Sequence, residues 1–316
     1  MKLINQSKVK LLLERIYKSK RLPTALLFYG ISGTGKTIAS LDFGKGILCE
    51  NNILWGCDNC KSCKEFNKVS EKIITGDFED ISYYGESSSG KKIFLYLKGE
   101  HPDFIYLIPD GHVIKIDQIR GLKEFIYNKP LISTNKLVII EKVDLLNPQA
   151  GNALLKILEE PPEDTFYILT AESTKNVLPT IISRTFPVEF SPLDYESFSE
   201  IVGKVEKDLY RKCRGSIRLF QKYKEKPHIE EMANKFLTGN YKEFWDIINK
   251  LEDMEEDEII FFIELLEREV ISHLSKDLDK FEKVINILGE LKRDLSKGIN
   301  VSISLAYIKS IIGGLS

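Results

Sequence analysis

The sequence predicts an α/β chain: a parallel sheet covered by helices on both faces, followed by a wholly helical C-terminal part. Three observations predict it. Short apolar runs alternate with segments of helical period as far as Phe190. A glycine-rich turn joins the first of those runs to the helix after it. Beyond Asp194 almost only helical periodicity remains.

Taken in order, Ser7–Ser19 has Val9, Leu12, Leu13 and Ile16 on one helical face. Ala25–Tyr29 is five apolar residues stopped by Gly30, the pattern of a buried parallel strand. Thr37–Leu48 is a helix. The polar, glycine-containing stretch Tyr84–Lys91 is expected as a loop, and Lys92–Leu97 as a strand. Phe104–Ile108 (strand), Ile116–Asn128 (helix), Lys136–Ile140 (strand), Pro148–Leu158 (helix) and Phe166–Thr170 (strand) complete the alternation. Asp257–Leu274 and Lys280–Leu295 are the clearest later helices. Boundaries fall near residue 190 and near Lys226-Pro227, giving segments 1–190, 191–226 and 227–316.

Composition narrows the function. A chain of 316 residues suits two or three domains, and 43% apolar content is that of a globular protein. A net charge of −2 excludes a global basic field for gripping nucleic acid. No apolar run reaches the roughly 18 residues of a membrane span, and Met1–Gln6 has no charged-then-apolar leader. The expected setting is the cytoplasm, without a membrane partner.

Gly30-Ile31-Ser32-Gly33-Thr34-Gly35-Lys36-Thr37 fits GxxxxGKT between a strand and a helix. Glycines turn backbone N–H groups inward around a phosphate, and the helix N-terminus adds partial positive charge. Lys36 would reach the terminal phosphates of ATP or ADP, and the Thr37 hydroxyl would ligate Mg²⁺. The strand ending at Ile140 should then present an acidic pair. It presents Glu141, which can serve the metal, and Lys142, whose ammonium has no lone pair for a proton from water. The motif implies nucleotide binding with poor hydrolysis, unless the register places Asp144 in that role.

Cys49, Cys57, Cys60 and Cys63 give C-x7-C-x2-C-x2-C, the donor set of a tetrahedral, structural Zn²⁺ site. An iron–sulfur cluster is the alternative. The fifth cysteine, Cys213, is expected as a small buried residue.

Further segments carry a resemblance. Asn152–Pro162 (NALLKILEEPP), Leu178–Arg184 (LPTIISR), His101-Pro102-Asp103, Ile116–Arg120 and the cysteine module after the P-loop helix resemble bacterial DNA polymerase III clamp-loader subunits of the AAA+ class, both gamma/tau and delta-prime. Gly215-Ser216-Ile217-Arg218 is similar to their lid motif. The match is dense from Leu3 to Arg218 and thinner beyond. The resemblance implies a P-loop AAA+ domain with an inserted zinc module (49–63), then a small helical lid and an all-α collar domain. It also implies a ring-like pentamer with gamma/tau and delta subunits that opens the sliding clamp and places it on primed DNA. Arg184 would be an arginine finger reaching a neighbour's ATP. Arg218 would either contact nucleotide in cis or brace the lid. Thr185 stands where the family has cysteine, Lys142 where the motor subunits have glutamate, and 67–100 is an insertion. Lys142 points to the delta-prime side. The alternatives are a gamma/tau-like ATPase motor and a zinc-ribbon nucleic-acid-binding module on a P-loop scaffold.

Overall fold

Apolar strands that are buried on both faces need cover on both, and the chain supplies it. A computed structural model describes residues 6–19, 21–86, 90–274, 277–295 and 300–312. It divides into two units, Met1–Ile217 and Arg218–Ser316.

The first unit is built on a seven-stranded sheet: β1 (Ala25–Tyr29), β2 (Ser82–Glu86), β3 (Lys92–Leu97), β4 (Phe104–Leu107), β5 (Lys136–Ile140), β6 (Thr165–Ala171) and β7 (Phe186–Glu189). Their order across the sheet is β2-β3-β4-β5-β6-β1-β7. From β4 to β7 all pairings are parallel, whereas β2 and β3 form an antiparallel hairpin on the β4 edge. Alternate residues feed two cores. Leu27, Ile105, Val138, Ile140 and Leu169 pack on one side, with α4 (Ile116–Tyr127) and α5 (Pro148–Glu159). Leu26, Phe28, Phe104, Leu137 and Ile168 pack on the other, with α1 (Ser7–Lys18), α2 (Lys36–Leu48) and α3 (Lys61–Thr75). The one-turn α6 (Pro179–Ile182) precedes β7; α7 (Tyr195–Val202) and α8 (Lys207–Cys213) follow it. Cys213 is fully buried.

The expected loop at Tyr84–Lys91 is corrected in part. Tyr84, Gly85 and Glu86 belong to β2, while 87–89 lie outside the described residues. Cross-strand aromatic contacts explain it: Tyr83 stacks on Tyr96 with ring centres 5.0 Å apart, and Tyr84 meets Phe94 edge-on at 5.9 Å. Polar composition concealed a strand held by its rings.

In the second unit α9 (Ile217–Glu225), α10 (Pro227–Thr238), α11 (Tyr241–Glu252), α12 (Glu256–Leu274), α13 (Leu278–Asp294) and α14 (Val301–Ile312) follow one another. Phe236 of α10 lies against Phe244 of α11 and Phe262 of α12, with Leu266, Leu305 and Ile308 also buried. Among the described residues no helix is long and apolar enough to cross a membrane.

Candidate nucleotide and metal sites

The glycine-rich turn leaves β1 at Gly30, where φ is +145° and an added Cβ would lie 2.2 Å from the Phe190 carbonyl oxygen. Only glycine fits so close an approach. Gly33 and Gly35 also have positive φ, +76° and +95°, and Gly35 is the residue before α2. Lys36 is the first residue of that helix. Its ammonium folds back to donate to the carbonyls of Gly30 (2.5 Å) and Ile31 (2.8 Å). Burial lowers the Lys36 pKa, while Glu172, Asp144 and Glu141 oppose the shift. Thr34 donates its hydroxyl to Ile31 O at 2.9 Å, which braces the turn from inside.

Glu141 sits where β5 ends. It accepts hydrogen bonds from the Thr37 hydroxyl at 3.3 Å and from the Tyr106 hydroxyl at 2.8 Å. The carboxylate and the hydroxyl expected to share a cation are therefore adjacent. Lys142 has φ +55°, and its N–H donates to the Thr170 hydroxyl at 3.1 Å. Asp144 accepts from the Glu172 N–H through one oxygen, and its other oxygen, Oδ1, is buried without a protein hydrogen bond. Burial raises the Asp144 pKa. The site thus contains a second carboxylate near Lys36.

Residues that sequence reasoning missed hold this turn in place. The buried Gln6 amide donates to Thr34 O (3.2 Å) and Ser191 O (2.8 Å), tying the chain's start to the loop. A lone glutamine before a helix carries no motif, so nothing signalled it. Tyr106 was legible only as a strand residue. Ile217 N–H donates to Gly33 O at 3.1 Å, so the Gly215–Ile217 segment docks on the turn. Gly215 has φ +70°, and a Cβ there would strike the Leu193 carbonyl at 2.3 Å. Arg218 opens the second unit, where its guanidinium lies 3.4 Å from Asp257.

Arg184 follows α6 and not a strand, because Pro179 starts a helical turn ending at Ile182. The side chain is exposed and pairs with Glu159 at the end of α5, at 2.7 Å.

Cys49 directly follows α2, Cys57 and Cys60 lie in the turn before α3, and Cys63 is in its first turn. All four sulfurs lie within 4.8 Å of one another, and the cysteines are unbridged. Four sulfurs at about 2.3 Å from one ion stand about 3.8 Å apart; Cys57 and Cys63 are 4.0 Å apart. N–H groups of Cys60 and Cys63 point at the sulfurs of Cys57 and Cys60, both at 3.3 Å. The N–H groups of Cys60 and Asn59, with the Asn51 amide, draw the Cys57 thiol down to about 6. Burial pushes the Cys63 thiol up. The four cysteines together offer the donor set for one cation. Below them, Ser62 Oγ donates to Leu48 O (2.7 Å) and meets His101 Nε2 (2.9 Å). Asp103 accepts three backbone N–H groups, from Leu131, Ile132 and Ser133.

Comparison with known proteins agrees with this frame. The profile of a family described as "DNA polymerase III, delta subunit" matches residues 5–93 and 67–194. The chain is 33% identical over 195 residues to the DNA polymerase III subunit delta' of Bacillus subtilis, covering 62% of this chain and 50% of that protein. It is 29% identical over 205 residues to the tau subunit of the same organism, covering 65% and 30%. These alignments span half or less of each relative's length. A solved gamma subunit-related protein from Thermotoga maritima superposes with a TM-score of 0.53 at 19% identity, covering 95% of this chain and 98% of that one. That likeness shows a shared fold.

Proposed function

The chain belongs to the delta-prime family of DNA polymerase III clamp-loader subunits, the relatives of gamma/tau, and we propose that it works in such a complex as a nucleotide-binding, weakly hydrolysing member. Its partners would be gamma/tau and delta subunits, with the sliding clamp and primed DNA engaged through the assembly in the cytoplasm. Residues 1–190 would form the nucleotide-binding domain, 191–226 the lid and 227–316 the collar. The Glu141–Thr37 contact across the phosphate loop carries the reading. It supports a Mg²⁺–nucleotide held by Gly30, Gly33, Thr34, Gly35, Lys36, Thr37 and Glu141. Bound Mg²⁺ would neutralise phosphate charge, while Lys142 supplies no acceptor for a proton from water.

Arg184 supplies the chain's catalytic contribution in this proposal. Its pair with Glu159 is part-exposed, and such pairs are worth about 0–1 kcal/mol. It can therefore be exchanged for a neighbour's phosphoryl oxygens, which a guanidinium bridges in two places. Cys49, Cys57, Cys60 and Cys63 would hold one structural Zn²⁺.

One observation favours a second reading. The partner-free Oδ1 of Asp144 near Lys36 is a carboxylate oxygen that could orient water, as a gamma/tau-like motor requires. Nucleotide binding by calorimetry and turnover by phosphate release separate the two. Binding with turnover far below about 1 s⁻¹ is expected; a rate at or above that level, abolished by Asp144→Asn, establishes the motor.

A further inference from the structure

The hairpin that lengthens the sheet beyond β4 plays no part in the site above. Its outer strand, β2, carries adjacent tyrosines that are 44% and 47% exposed, Tyr83 and Tyr84. A register shift between them pairs Tyr83 with Tyr96 and Tyr84 with Phe94. Tyr96 belongs to the core on the α4 side and Phe94 to the opposite core, so the two tyrosines stand on opposite faces of the hairpin. Each ring has a lysine ammonium over it, on an exposed side chain that a phosphate can draw aside. The Lys98 ammonium is 6.0 Å from the Tyr83 ring centre, and the Lys92 ammonium is 4.6 Å from that of Tyr84. From Ser82 to Lys98 there are three lysines and one glutamate, in a chain whose net charge is −2. The neighbouring carboxylates Asp80 and Glu100 are paired with Lys72 and Lys68.

We propose that this hairpin is a direct contact for single-stranded nucleic acid. A ring next to an ammonium matches one nucleotide, with a base for the ring and a phosphate for the charge. A strand laid across the β2 edge meets one such pair on each face. Addition of a protein strand is the less favoured occupant: β2 has five residues, a register shift and flanking lysines, all features that blunt a sheet edge. The contact belongs to this chain alone and does not depend on its place in an assembly.

The test uses the full chain, without partners or ATP, and a labelled oligothymidylate followed by fluorescence anisotropy across a salt series. Saturable, salt-sensitive binding is expected. Tyr83→Ala with Tyr84→Ala should weaken it roughly tenfold or more. Lys92→Gln with Lys98→Gln, two exposed positions, should reduce the slope of log affinity against log salt by about 1.4. This pair decides the matter even if the tyrosine variant folds poorly. Absent binding, or an unchanged slope and affinity, overturns the proposal. So does wild-type self-association in sedimentation that the tyrosine changes abolish while oligonucleotide binding persists, which would make β2 a protein interface. Either failure leaves the clamp-loader reading standing, because no step of that reading is assayed.

Discussion

Glu141 and Lys142 are consecutive residues with opposite consequences. One carboxylate oxygen of Glu141 accepts from Thr37 and the other from Tyr106, so the side chain is fixed toward the phosphate loop. Lys142 takes a left-handed backbone conformation, stabilised by its N–H bond to Thr170, and offers no acceptor. In the proposed reading the catalytic power this chain lends comes from elsewhere, with Arg184 as its source. Arg184→Ala should alter folding stability by about 1 kcal/mol or less, since what is lost is a part-exposed ion pair and two exposed hydrogen bonds, to Thr180 O (3.3 Å) and Ser183 Oγ (3.4 Å). In the assembled complex it should lower turnover at one neighbouring site by roughly 10³–10⁵. Arg184→Lys should restore little, because a point charge does not reproduce the planar fork. Unchanged DNA-stimulated ATPase in the Arg184→Ala complex would assign this arginine to the Glu159 pair alone.

Elements differ in how plainly the sequence announces them. Strands β1, β5 and β6 were legible because each is a run of apolar residues buried on both faces. The phosphate loop was legible because its glycines are required by backbone approach. Strand β7 escaped notice, as four residues with only Val188 buried leave no pattern. Strand β3 was expected at Lys92–Leu97, but its partner β2 escaped because cross-strand ring contacts, and not periodicity, hold it. The cysteine spacing was legible, but the buried support beneath it was not. His101 Nδ1 accepts the Asp103 N–H, so the ring proton lies on Nε2 and is donated to Ser62. Burial pulls the His101 pKa down to about 4, against the opposing charges of Asp103 and Glu50. Above the ordinary value of about 6.5 the ring is neutral folded or unfolded. As pH falls from there toward 4, only the unfolded chain takes up the proton, and up to about 3 kcal/mol of stability is lost. Unfolding measured at pH 7 and pH 4.5 should show that extra loss in the native chain and not in His101→Asn. Equal losses in both would remove His101 from the account.

In the second unit a buried lysine joins two elements. Lys309 of α14 donates to the carbonyls of Phe236 (2.6 Å) and Leu237 (3.1 Å) at the end of α10, and to Gly239 O (3.1 Å) beyond it. Helix C-termini leave carbonyls without partners, and a cation there also meets the favourable end of the dipole. Lys309→Met keeps the stem and removes the donor, and should cost about 1–3 kcal/mol in urea unfolding. A change within about 0.5 kcal/mol would mean water replaces the ammonium freely.

At the scale of the whole molecule, the two units have separate duties in the proposed reading: nucleotide and metal on the first, and assembly through the helical second. The cysteine cluster should behave as a local staple. Removing the metal with a chelator, or changing Cys57→Ser, should loosen the segment around α3 and leave nucleotide binding by the sheet largely intact. Loss of nucleotide binding together with zinc would mean that the two sites fold as one. A net charge of −2 gives the chain little general hold on DNA, which fits a protein that works mainly through partners. The most direct measurement of that claim is native mass spectrometry of this chain mixed with gamma/tau and delta subunits and ATP. The account predicts a stable heteropentamer containing this chain with one zinc ion; a chain that stays alone at concentrations where the others assemble would contradict it.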